Sequence, residues 1–200
     1  LATCLDRAVV TATVRSPAVD DHVAEVIVTD DPVGALRSVD RWPVGLVRAR
    51  LDDGYCRGYD PETVTALRAT PGPTTVLAKA DGSRGRPLKA PGDHEPRVPA
   101  TADTVVPMAG ARVVGEPLSA DHVHRPDRVA GITGLDRGDE IAAADVAAVL
   151  ASRDGGRKRV PPTATVVPLV TVDDAADGAT ATGRAIAAAV HDRADVPRVV

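Results

Sequence analysis

Residues 75–91 read TVLAKADGSRGRPLKAP, and this stretch decides the fold that we predict for the chain. The apolar and β-branched residues of the segment from Thr75 to Ala80 predict a buried strand. The strand is followed by Asp81 and by a glycine-hinged loop that carries three cations. Ligands of parallel α/β sheets bind at the carboxyl ends of the strands. We therefore expect the loop after Asp81 to line a ligand site.

The loop residues that we assign to ligand binding have either a cationic side chain or a very small one. They are Gly82, Ser83, Arg84, Arg86 and Lys89. Guanidinium and ammonium groups bind phosphate or carboxylate oxygens, and glycines let backbone amides approach a ligand. Asp81 would hold Mg²⁺ beside a phosphate-bearing ligand and take the catalytic role. The alternative is a solvated basic loop in which Asp81 caps the following turn.

Two more polar residues, His94 and Glu95, follow the loop closely enough to reach the same ligand. Either side chain could serve as a general acid or base. We expect one of the two loop arginines to contact only Asp93 or Glu95. We expect Lys89 to be half-buried, because it stands between apolar neighbours, although a surface lysine with a packed stem is an equal alternative.

Strands and helices alternate along the chain, which predicts an α/β fold. Apolar runs predict strands over 7–14, 25–29, 44–51, 75–80, 103–108 and 163–172, and helices are predicted from 31, over 60–69, from 119, over 142–152 and over 180–191. This alternation is typical of βαβ units and predicts a mostly parallel sheet flanked by helices. Since no repeat or low-complexity linker interrupts the chain, we treat residues 1–200 as a single α/β domain.

Composition excludes several classes of partner. The formal net charge is −4, whereas general nucleic-acid binding requires a basic surface, so we expect no nucleic-acid partner. No apolar run approaches the roughly 20 residues of a membrane span, so we expect no membrane partner and a cytoplasmic protein. Phenylalanine is absent, so the core must be built from aliphatic side chains.

The run ADGSRGRPLKAP over residues 80–91, followed by His94-Glu95-Pro96, resembles the signature of the selenium-dependent hydroxylase accessory proteins, the YqeC-type family. The resemblance spans most of residues 1–173. Further matches follow in chain order at Gly110, Gly115, His124-Arg125, Thr133-Gly134, Gly155-Gly156 and Lys158. The resemblance implies that His124 and Arg125 contribute to the site or hold its loop.

The resemblance also implies a function. Members of the family look like P-loop nucleotide-binding proteins that serve the maturation of selenium-dependent molybdenum hydroxylases. It therefore implies a P-loop NTPase-like three-layer architecture, Mg²⁺ with ATP or GTP as cofactor, and a molybdenum hydroxylase or its cofactor-maturation machinery as partner. A typical member opens with a strand and a Gly-rich Gly-Lys-Thr loop, and residues 1–200 contain no such loop.

We expect the chain to be truncated at both ends. Residues 1–5 resemble the end of a helix, and residues 198–200 resemble a strand that is just beginning. Without the phosphate loop, we expect these 200 residues not to hydrolyse nucleotide. Two alternatives remain open, namely a non-hydrolytic binding module or chaperone for an anionic cofactor, and a transferase that acts on a phosphorylated small molecule.

Three further segments have competing interpretations. Residues 170–174 lie where family members can show an Asn-Lys-x-Asp-like turn, but only Asp174 agrees, so we claim no guanine preference. His122 and His124 would share one face of a strand, but their surroundings predict a helix and no third ligand is evident, so we expect no zinc site. The basic segment 154–159 is explained by a solvated helix end whose cations lie near the last helical carbonyls. The family resemblance suggests the alternative that this segment contacts a ligand or a partner.

Overall fold

The computed structural model describes residues 2–173 and 178–200 of the chain. These residues pack as two compact units. Unit 1 is Leu1–Gly82 with Arg97–Ala102, and unit 2 is Ser83–Pro96 with Asp103–Val200. Because compact units of this size can belong to one domain, the single domain over residues 1–200 stays a prediction.

Unit 1 contains a four-stranded, fully parallel sheet and a small antiparallel sheet. Its strands are β1 (Ala8–Ala12), β2 (Ser16–Pro17), β3 (Glu25–Val28), β4 (Val44–Val47), β5 (Ala49–Arg50), β6 (Tyr55–Arg57) and β7 (Thr75–Lys79). The parallel sheet has the order β3-β4-β1-β7, and the antiparallel sheet has the order β2-β6-β5. The expectation of an α/β fold with a mostly parallel sheet flanked by helices is confirmed.

Two helices of unit 1 begin where the sequence predicts, because an aspartate caps each of them. The helix α1 is Pro32–Ala35 and the helix α2 is Pro61–Ala69. Oδ1 of Asp31 accepts from the Gly34 amide at 2.9 Å, and Oδ1 of Asp60 accepts from the Thr63 amide at 2.7 Å. Each cap satisfies an amide that the first turn leaves without a helical partner, and proline at the first position already has the helical φ.

The predicted half-exposed strand over 44–51 is wrong in its burial and its length. All four residues of β4 are buried, because β4 lies between β3 and β1. The chain then leaves the parallel sheet, and β5 pairs with β6 around the turn that the sequence predicts at residues 52–54. The core around β4 is largely aliphatic, as expected, with Val9, Leu46 and Leu67 fully enclosed.

The carboxyl end of β1 is closed over by other segments of unit 1. A Cβ built on Gly58 would lie 2.0 Å from the carbonyl oxygen of Ala12, so only glycine permits this crossing. The amide of Tyr59 donates to the same carbonyl at 2.9 Å. The Thr13 hydroxyl donates to the carbonyl of Arg97 at 2.6 Å. These contacts fix the backbone beside the ends of β1 and β7.

Unit 2 is built from three parallel strand pairs and three helices. Its strands are β8 (Leu88–Lys89), β9 (Thr104–Val105), β10 (Met108–Gly110), β11 (Val123–His124), β12 (Thr165–Val166) and β13 (Leu169–Thr171), and its helices are α3 (Pro126–Thr133), α4 (Ala143–Ala151) and α5 (Ala179–His191). The pairs are β8 with β11, β9 with β12 and β10 with β13. Their shared core is aliphatic and includes Leu118, Ile141 and Ile186.

Two long strands that the sequence predicts, over 103–108 and 163–172, are each divided into two short strands. Pro107 separates β9 from β10, and Pro168 separates β12 from β13. Proline has no amide hydrogen to donate, so it interrupts a ladder of hydrogen bonds. At the end of the chain, the Val200 backbone exchanges hydrogen bonds with Pro168 and Val170, as a strand neighbouring β13 would.

The helix predicted to start at residues 119–121 is wrong. Those residues form turns that lead into β11, and the helix α3 begins only at Pro126. Arg125 has a left-handed backbone with φ of 66°, and a residue before proline is sterically disfavoured in the right-handed helical region. Among the helices of the described residues, none has both the length and the apolar character needed to cross a membrane.

Candidate anion-binding site

The pairing of β8 with β11 positions two polar residues of the site. Leu88 is paired with Val123, and Lys89 is paired with His124. Leu88 and Val123 are each 1% exposed and belong to the core of unit 2. Successive residues of a strand point to opposite faces, so Lys89 and His124 point together away from that core. Because Leu88 and Val123 face the core, Lys89 and His124 lie on the same outer face of the strand pair.

The carboxylate of Glu95 lies between two cations. Its Oε2 is 2.6 Å from Lys89 Nζ and 2.6 Å from Arg125 Nη1, and its Oε1 accepts from Arg125 Nη2 at 3.1 Å. The Gly92 amide also donates to Oε2, at 3.2 Å. The Lys89 side chain is 8% exposed, which confirms the expected burial of this lysine. A forked arginine contact of this kind fixes geometry as well as charge.

The electrostatics of Glu95 favour a permanent carboxylate. Burial raises the pKa of Glu95, but the hydrogen bonds from Arg125, Lys89 and the Gly92 amide, together with the charge of Lys89, outweigh burial and hold this pKa far below its usual range. A general acid or base works best with a pKa near the working pH. Glu95 therefore suits the positioning of cations and does not suit proton transfer.

Gly92 allows the Arg125 guanidinium to reach Glu95. A Cβ built on Gly92 would lie 3.1 Å from Cζ of Arg125, tighter than ordinary van der Waals contact. The left-handed backbone of Arg125 turns its side chain from the end of β11 toward this loop. A side chain at position 92 would thus crowd a guanidinium that lies more than thirty residues away in sequence.

The loop of residues 83–86 forms a tight turn that gives its two arginines different roles. The Ser83 carbonyl accepts from the Arg86 amide at 3.2 Å, and the two central residues, Arg84 and Gly85, have φ of 54° and 79°. The Arg86 guanidinium donates to the carbonyls of Arg84 and Ala120, at 2.9 and 3.1 Å. Arg86 therefore holds the loop. The expectation that one of the two loop arginines contacts only Asp93 or Glu95 is wrong, because Arg86 donates to other groups and the Arg84 guanidinium has no partner within the described residues.

Arg84 is the exposed arginine of the same turn. Within the described residues its guanidinium has no hydrogen-bond or ion-pair partner. Arg84 acts on His124 together with Arg125 and Lys89. Burial is the largest cause that lowers the pKa of the His124 imidazole, and the charges of these three cations lower it further. These three cations and the single carboxylate of Glu95 give the cluster a net charge of +2. We call Arg84, Lys89, Glu95, His124 and Arg125 the anion cluster.

A second set of cations clamps the adjacent segment from Pro91 to Asp93. Lys158 Nζ donates to the Gly92 carbonyl at 2.8 Å and to the Pro91 carbonyl at 3.4 Å. Arg128 Nη2 donates to Oδ1 of Asp93 at 2.7 Å, and Arg159 Nη2 donates to the Asp93 carbonyl at 2.8 Å. The interpretation of residues 154–159 as a solvated helix end is therefore wrong for Lys158, which is half-buried against this segment.

Asp81 and Gly82 belong to unit 1, whereas Ser83, Arg84, Arg86 and Lys89 belong to unit 2. Oδ1 of Asp81 accepts from the Gly82 amide at 2.8 Å, which is the turn-capping contact considered as the alternative. Magnesium in phosphate sites is commonly held by one or two carboxylates, with the other ligands supplied by phosphate and water. The single carboxylate at the end of β7 would fit Mg²⁺ only if phosphate and water supplied the other ligands. Metal binding by Asp81 therefore stays a prediction.

The remaining predicted positions lie outside the anion cluster. His94 is exposed on the segment after Asp93. His122 Nε2 lies 3.4 Å from Oε2 of Glu116, and within residues 2–173 and 178–200 no three His, Cys, Asp or Glu side chains are grouped as metal ligands would be. Asp174, the one residue that agreed with a base-recognition turn, lies outside the described residues.

Sequence reasoning missed Gly92 and Arg128 as parts of this region. The Pro91-Gly92 pair is an available signal, because a Pro-Gly dipeptide marks a turn. Arg128 offers no such signal, since it resembles any exposed arginine of a helix. The partner of Lys158 is 66 residues away along the chain, so no local pattern reveals it.

Comparison with known proteins identifies relatives of the chain. The profile described as YqeC protein matches residues 1–127. Escherichia coli (strain K12) has a relative described as "uncharacterized protein YqeC", which is 37% identical over 112 residues; these make up 56% of this chain and 44% of the relative. The chain thus spans less than half the length of that relative. No solved structure matches. Because the family profile covers more than half of the chain, including the anion cluster, the chain belongs to the YqeC protein family.

Proposed function

We propose that this protein is an accessory protein in the maturation of a selenium-dependent molybdenum hydroxylase, and that its anion cluster binds an anionic ligand without hydrolysing it. The accessory role follows from the resemblance of the ADGSRGRPLKAP run. The binding role follows from the geometry of residues 83–95 with His124 and Arg125. On this proposal the ligand is an anionic cofactor, or the anionic part of one.

The observation that carries the binding role is the exposed Arg84 guanidinium, which has no hydrogen-bond or ion-pair partner within the described residues. Its charge acts on His124 together with the charges of Lys89 and Arg125. Lys89 and Arg125 are held in place by Glu95, so they are already oriented before any ligand arrives. Preorganised donors bind an anion without first losing side-chain freedom. On this proposal the Arg84 guanidinium then donates hydrogen bonds to the ligand, and its planar, forked geometry suits phosphate or carboxylate oxygens.

The binding role is tested by titrating the full chain with sulfate in a calorimeter. Arg84→Ala is expected to weaken binding by about tenfold, the loss of one charge-assisted contact. Arg86→Ala removes a loop contact instead, so it is expected to lower stability as well as affinity. Arg153→Ala is the matched control, because Arg153 is an exposed arginine of unit 2 outside the anion cluster. Equal affinities of wild type and Arg84→Ala would overturn the assignment.

The accessory role is tested in a host that makes a selenium-dependent molybdenum hydroxylase and lacks its own YqeC protein. Full-length wild-type protein is expected to restore hydroxylase activity, and full-length Arg84→Ala is expected to restore much less of it. Hydroxylase activity that does not change when the YqeC protein is removed would overturn the accessory role. Western blotting of both proteins controls for their abundance.

A second candidate function is nucleotide binding by a P-loop NTPase-like architecture. It is favoured by the position of Asp81, just past the carboxyl end of β7 in a fully parallel sheet, where nucleotides bind in such folds. Asp81 would then contribute to holding Mg²⁺ with ATP or GTP, and the ion when bound would neutralise phosphate charge. The phosphate loop itself would come from chain outside the 200 residues.

Nucleotide binding is tested on the full-length protein with a fluorescent ATP or GTP analogue, with and without magnesium. Binding that depends on magnesium and is weakened by Asp81→Asn would support this candidate. Asp52→Asn serves as control, because Asp52 is an exposed aspartate of the predicted turn at 52–54. Binding that is insensitive to both magnesium and Asp81→Asn would contradict it.

A further inference from the structure

We propose that Arg112 is a positioning residue of the anion-binding site. Its guanidinium binds the carbonyl of Gly85 and, together with Arg86, holds the turn at residues 83–86 in the conformation that presents Arg84 to the ligand. The inference rests on the proposed anion-binding function. It adds a residue outside the anion cluster, 27 positions from Gly85 along the chain, on which that binding depends.

The backbone of the turn is the first argument. Arg84 and Gly85, its two central residues, have φ values of 54° and 79°. Glycine adopts this left-handed conformation freely, but in other residues the Cβ comes too close to the following carbonyl oxygen. The backbone closes the turn through the Arg86 amide, which donates to the Ser83 carbonyl at 3.2 Å. Because Arg84 is not a glycine, side chains that bind the turn's backbone help to keep it in this conformation.

The hydrogen bonds of the turn's carbonyls are the second argument. Three consecutive carbonyls accept a hydrogen bond each: Ser83 from the Arg86 amide, Arg84 from Arg86 Nη1 at 2.9 Å, and Gly85 from Arg112 Nη2 at 3.3 Å. In the part of the chain that the structure describes, the amides of Arg84 and Gly85 donate to no acceptor. Carbonyl oxygens repel an anion, whereas amides in a turn can bind one. With its carbonyls engaged, the turn keeps those amides and the Arg84 guanidinium available as donors.

The third argument is that Arg112 is itself fixed by the core of unit 2. It lies on a single turn of 3-10 helix over Ala111–Val113, in which Ala111 is 4% exposed and Val113 is 0% exposed. Just before this turn, the Gly110 amide donates to the Pro87 carbonyl at 2.7 Å. A Cβ built on Gly110 would lie 3.0 Å from Cβ of Pro87, so the two backbones approach closely here. The backbone that carries Arg112 is therefore held beside the turn before any ligand binds.

The three arginines around the turn thus have different roles. Arg86 donates to the carbonyls of Arg84 and Ala120, and Arg112 donates to the carbonyl of Gly85. The Arg84 guanidinium has no hydrogen-bond or ion-pair partner among the residues that the structure describes. A group that is already held in its binding position loses less conformational entropy when the ligand arrives. Arg112 acts on the ligand through Arg84, so its contribution to affinity requires the Arg84 side chain.

The experiment measures the affinity of the full chain for sulfate by NMR titration, which also covers the weak binding expected of Arg84→Ala. Arg112→Met keeps an aliphatic side chain but removes the donor, and it is expected to weaken sulfate binding by about threefold, the effect of one exposed hydrogen bond. Arg112→Lys restores a cationic donor and is expected to regain part of this loss. Arg193→Met is the matched control, because Arg193 is an exposed arginine that donates to the carbonyl of Ala189. It is expected to bind sulfate as the wild type does.

Two further measurements separate positioning from a general effect of charge or stability. In the Arg84→Ala background, Arg112→Met is expected to cause no further loss of affinity, because no guanidinium is left to position. A general loss of positive charge would weaken binding equally in both backgrounds. Without sulfate, NMR relaxation of the Arg84 and Gly85 amides is expected to show larger nanosecond motion in Arg112→Met than in the wild type.

The outcomes separate this inference from the function on which it rests. Wild-type sulfate affinity of Arg112→Met would overturn the positioning role and leave the anion-binding function intact. A loss of affinity that persists in the Arg84→Ala background would also overturn it, because Arg112 would then act by its charge or by direct contact. Unchanged motion of the turn's amides would refute the role of Arg112 in holding the turn. If the wild type does not bind sulfate, the anion-binding function has failed, and this inference fails with it.

Discussion

Nζ of Lys89 lies 2.6 Å from Oε2 of Glu95, and the lysine side chain is 8% exposed while the glutamate side chain is 29% exposed. The glutamate therefore reaches toward solvent and Arg125, and it gives the lysine a counter-charge. The same carboxylate oxygen also lies 2.6 Å from Arg125. The carboxylate of Glu95 thus organises the basic side chains around it, although the basic residues are the more noticeable feature of the sequence of this segment.

Replacing Glu95 with glutamine is expected to destabilise unit 2. The change removes the counter-charge of a nearly buried ammonium group, and breaking a fully buried pair costs about 3–5 kcal/mol, so we expect about 2 kcal/mol for this half-exposed carboxylate. Urea denaturation measures the free energy of unfolding. Glu116→Gln is the control, since the Glu116 carboxylate pairs with His122 and is 44% exposed. A change of less than about 0.5 kcal/mol for Glu95→Gln would contradict this prediction.

The stability that Glu95 contributes is expected to depend on pH. Its pKa is lower in the folded chain than in the unfolded chain, despite the opposing effect of burial. The contribution is therefore complete above the unfolded pKa of about 4.3 and is lost as the pH falls below that value toward the folded pKa. The difference in free energy of unfolding between wild type and Glu95→Gln should shrink below about pH 4.3. A constant difference down to about pH 3 would contradict the assignment.

Lys158→Met is expected to loosen the segment from Pro91 to Asp93. The methionine retains the aliphatic bulk, but the carbonyls of Pro91 and Gly92 lose their ammonium donor, at a cost of about 1–2 kcal/mol. Hydrogen exchange followed by mass spectrometry should show faster exchange at residues 91–95. Arg153→Met is the control, because Arg153 is exposed and outside the clamp. Unchanged exchange at residues 91–95 would show that the other clamp cations suffice.

Two glycine substitutions are expected to have opposite effects. Gly58→Ala places a Cβ 2.0 Å from the carbonyl oxygen of Ala12, so the backbone must shift, at a cost of about 3 kcal/mol. Gly131→Ala lies inside α3, and its Cβ meets no atom within 4 Å, so it is expected to stabilise by about 0.5–1 kcal/mol. Thermal or urea unfolding measures both. Equal effects of the two changes would contradict the close crossing at the end of β1.

The sequence predicted best the secondary-structure elements whose ends are determined by residues close by in the chain. Asp31 and Asp60 begin α1 and α2, because their side chains cap the amides that follow. The strands over 103–108 and 163–172 were predicted too long, although Pro107 and Pro168 were visible in the sequence. The predicted start of a helix at residues 119–121 failed because turns and the pairing of β11 with β8 override local propensity.

The candidate site residues were chosen from their types, since glycine, arginine and lysine after a strand indicate an anion-binding loop, and their role in ligand binding stays a prediction. Their separate roles were not found, because these depend on contacts across long stretches of chain. Arg84 and Arg86 look equivalent in the sequence, but the Arg86 guanidinium donates to the carbonyls of Arg84 and Ala120. The assignment of Glu95 to ligand binding stays a prediction. Its role as a counter-ion of Lys89 and Arg125 was not predicted, because it depends on the register of β8 and β11 and on the αL turn at Arg125.

The path of the chain has a consequence for folding. Residues 97–102 return to unit 1 after residues 83–96 have contributed to unit 2, and the Arg97 backbone bonds to Ala80 and Thr13. Unit 1 is therefore completed only after the signature segment has been translated, so a nascent chain that ends at residue 82 lacks part of its own fold. Closing this excursion adds loop entropy to the cost of folding. No single cleavage of the backbone can therefore separate the two units intact, because each unit contains residues from both sides of the crossing at 83–102.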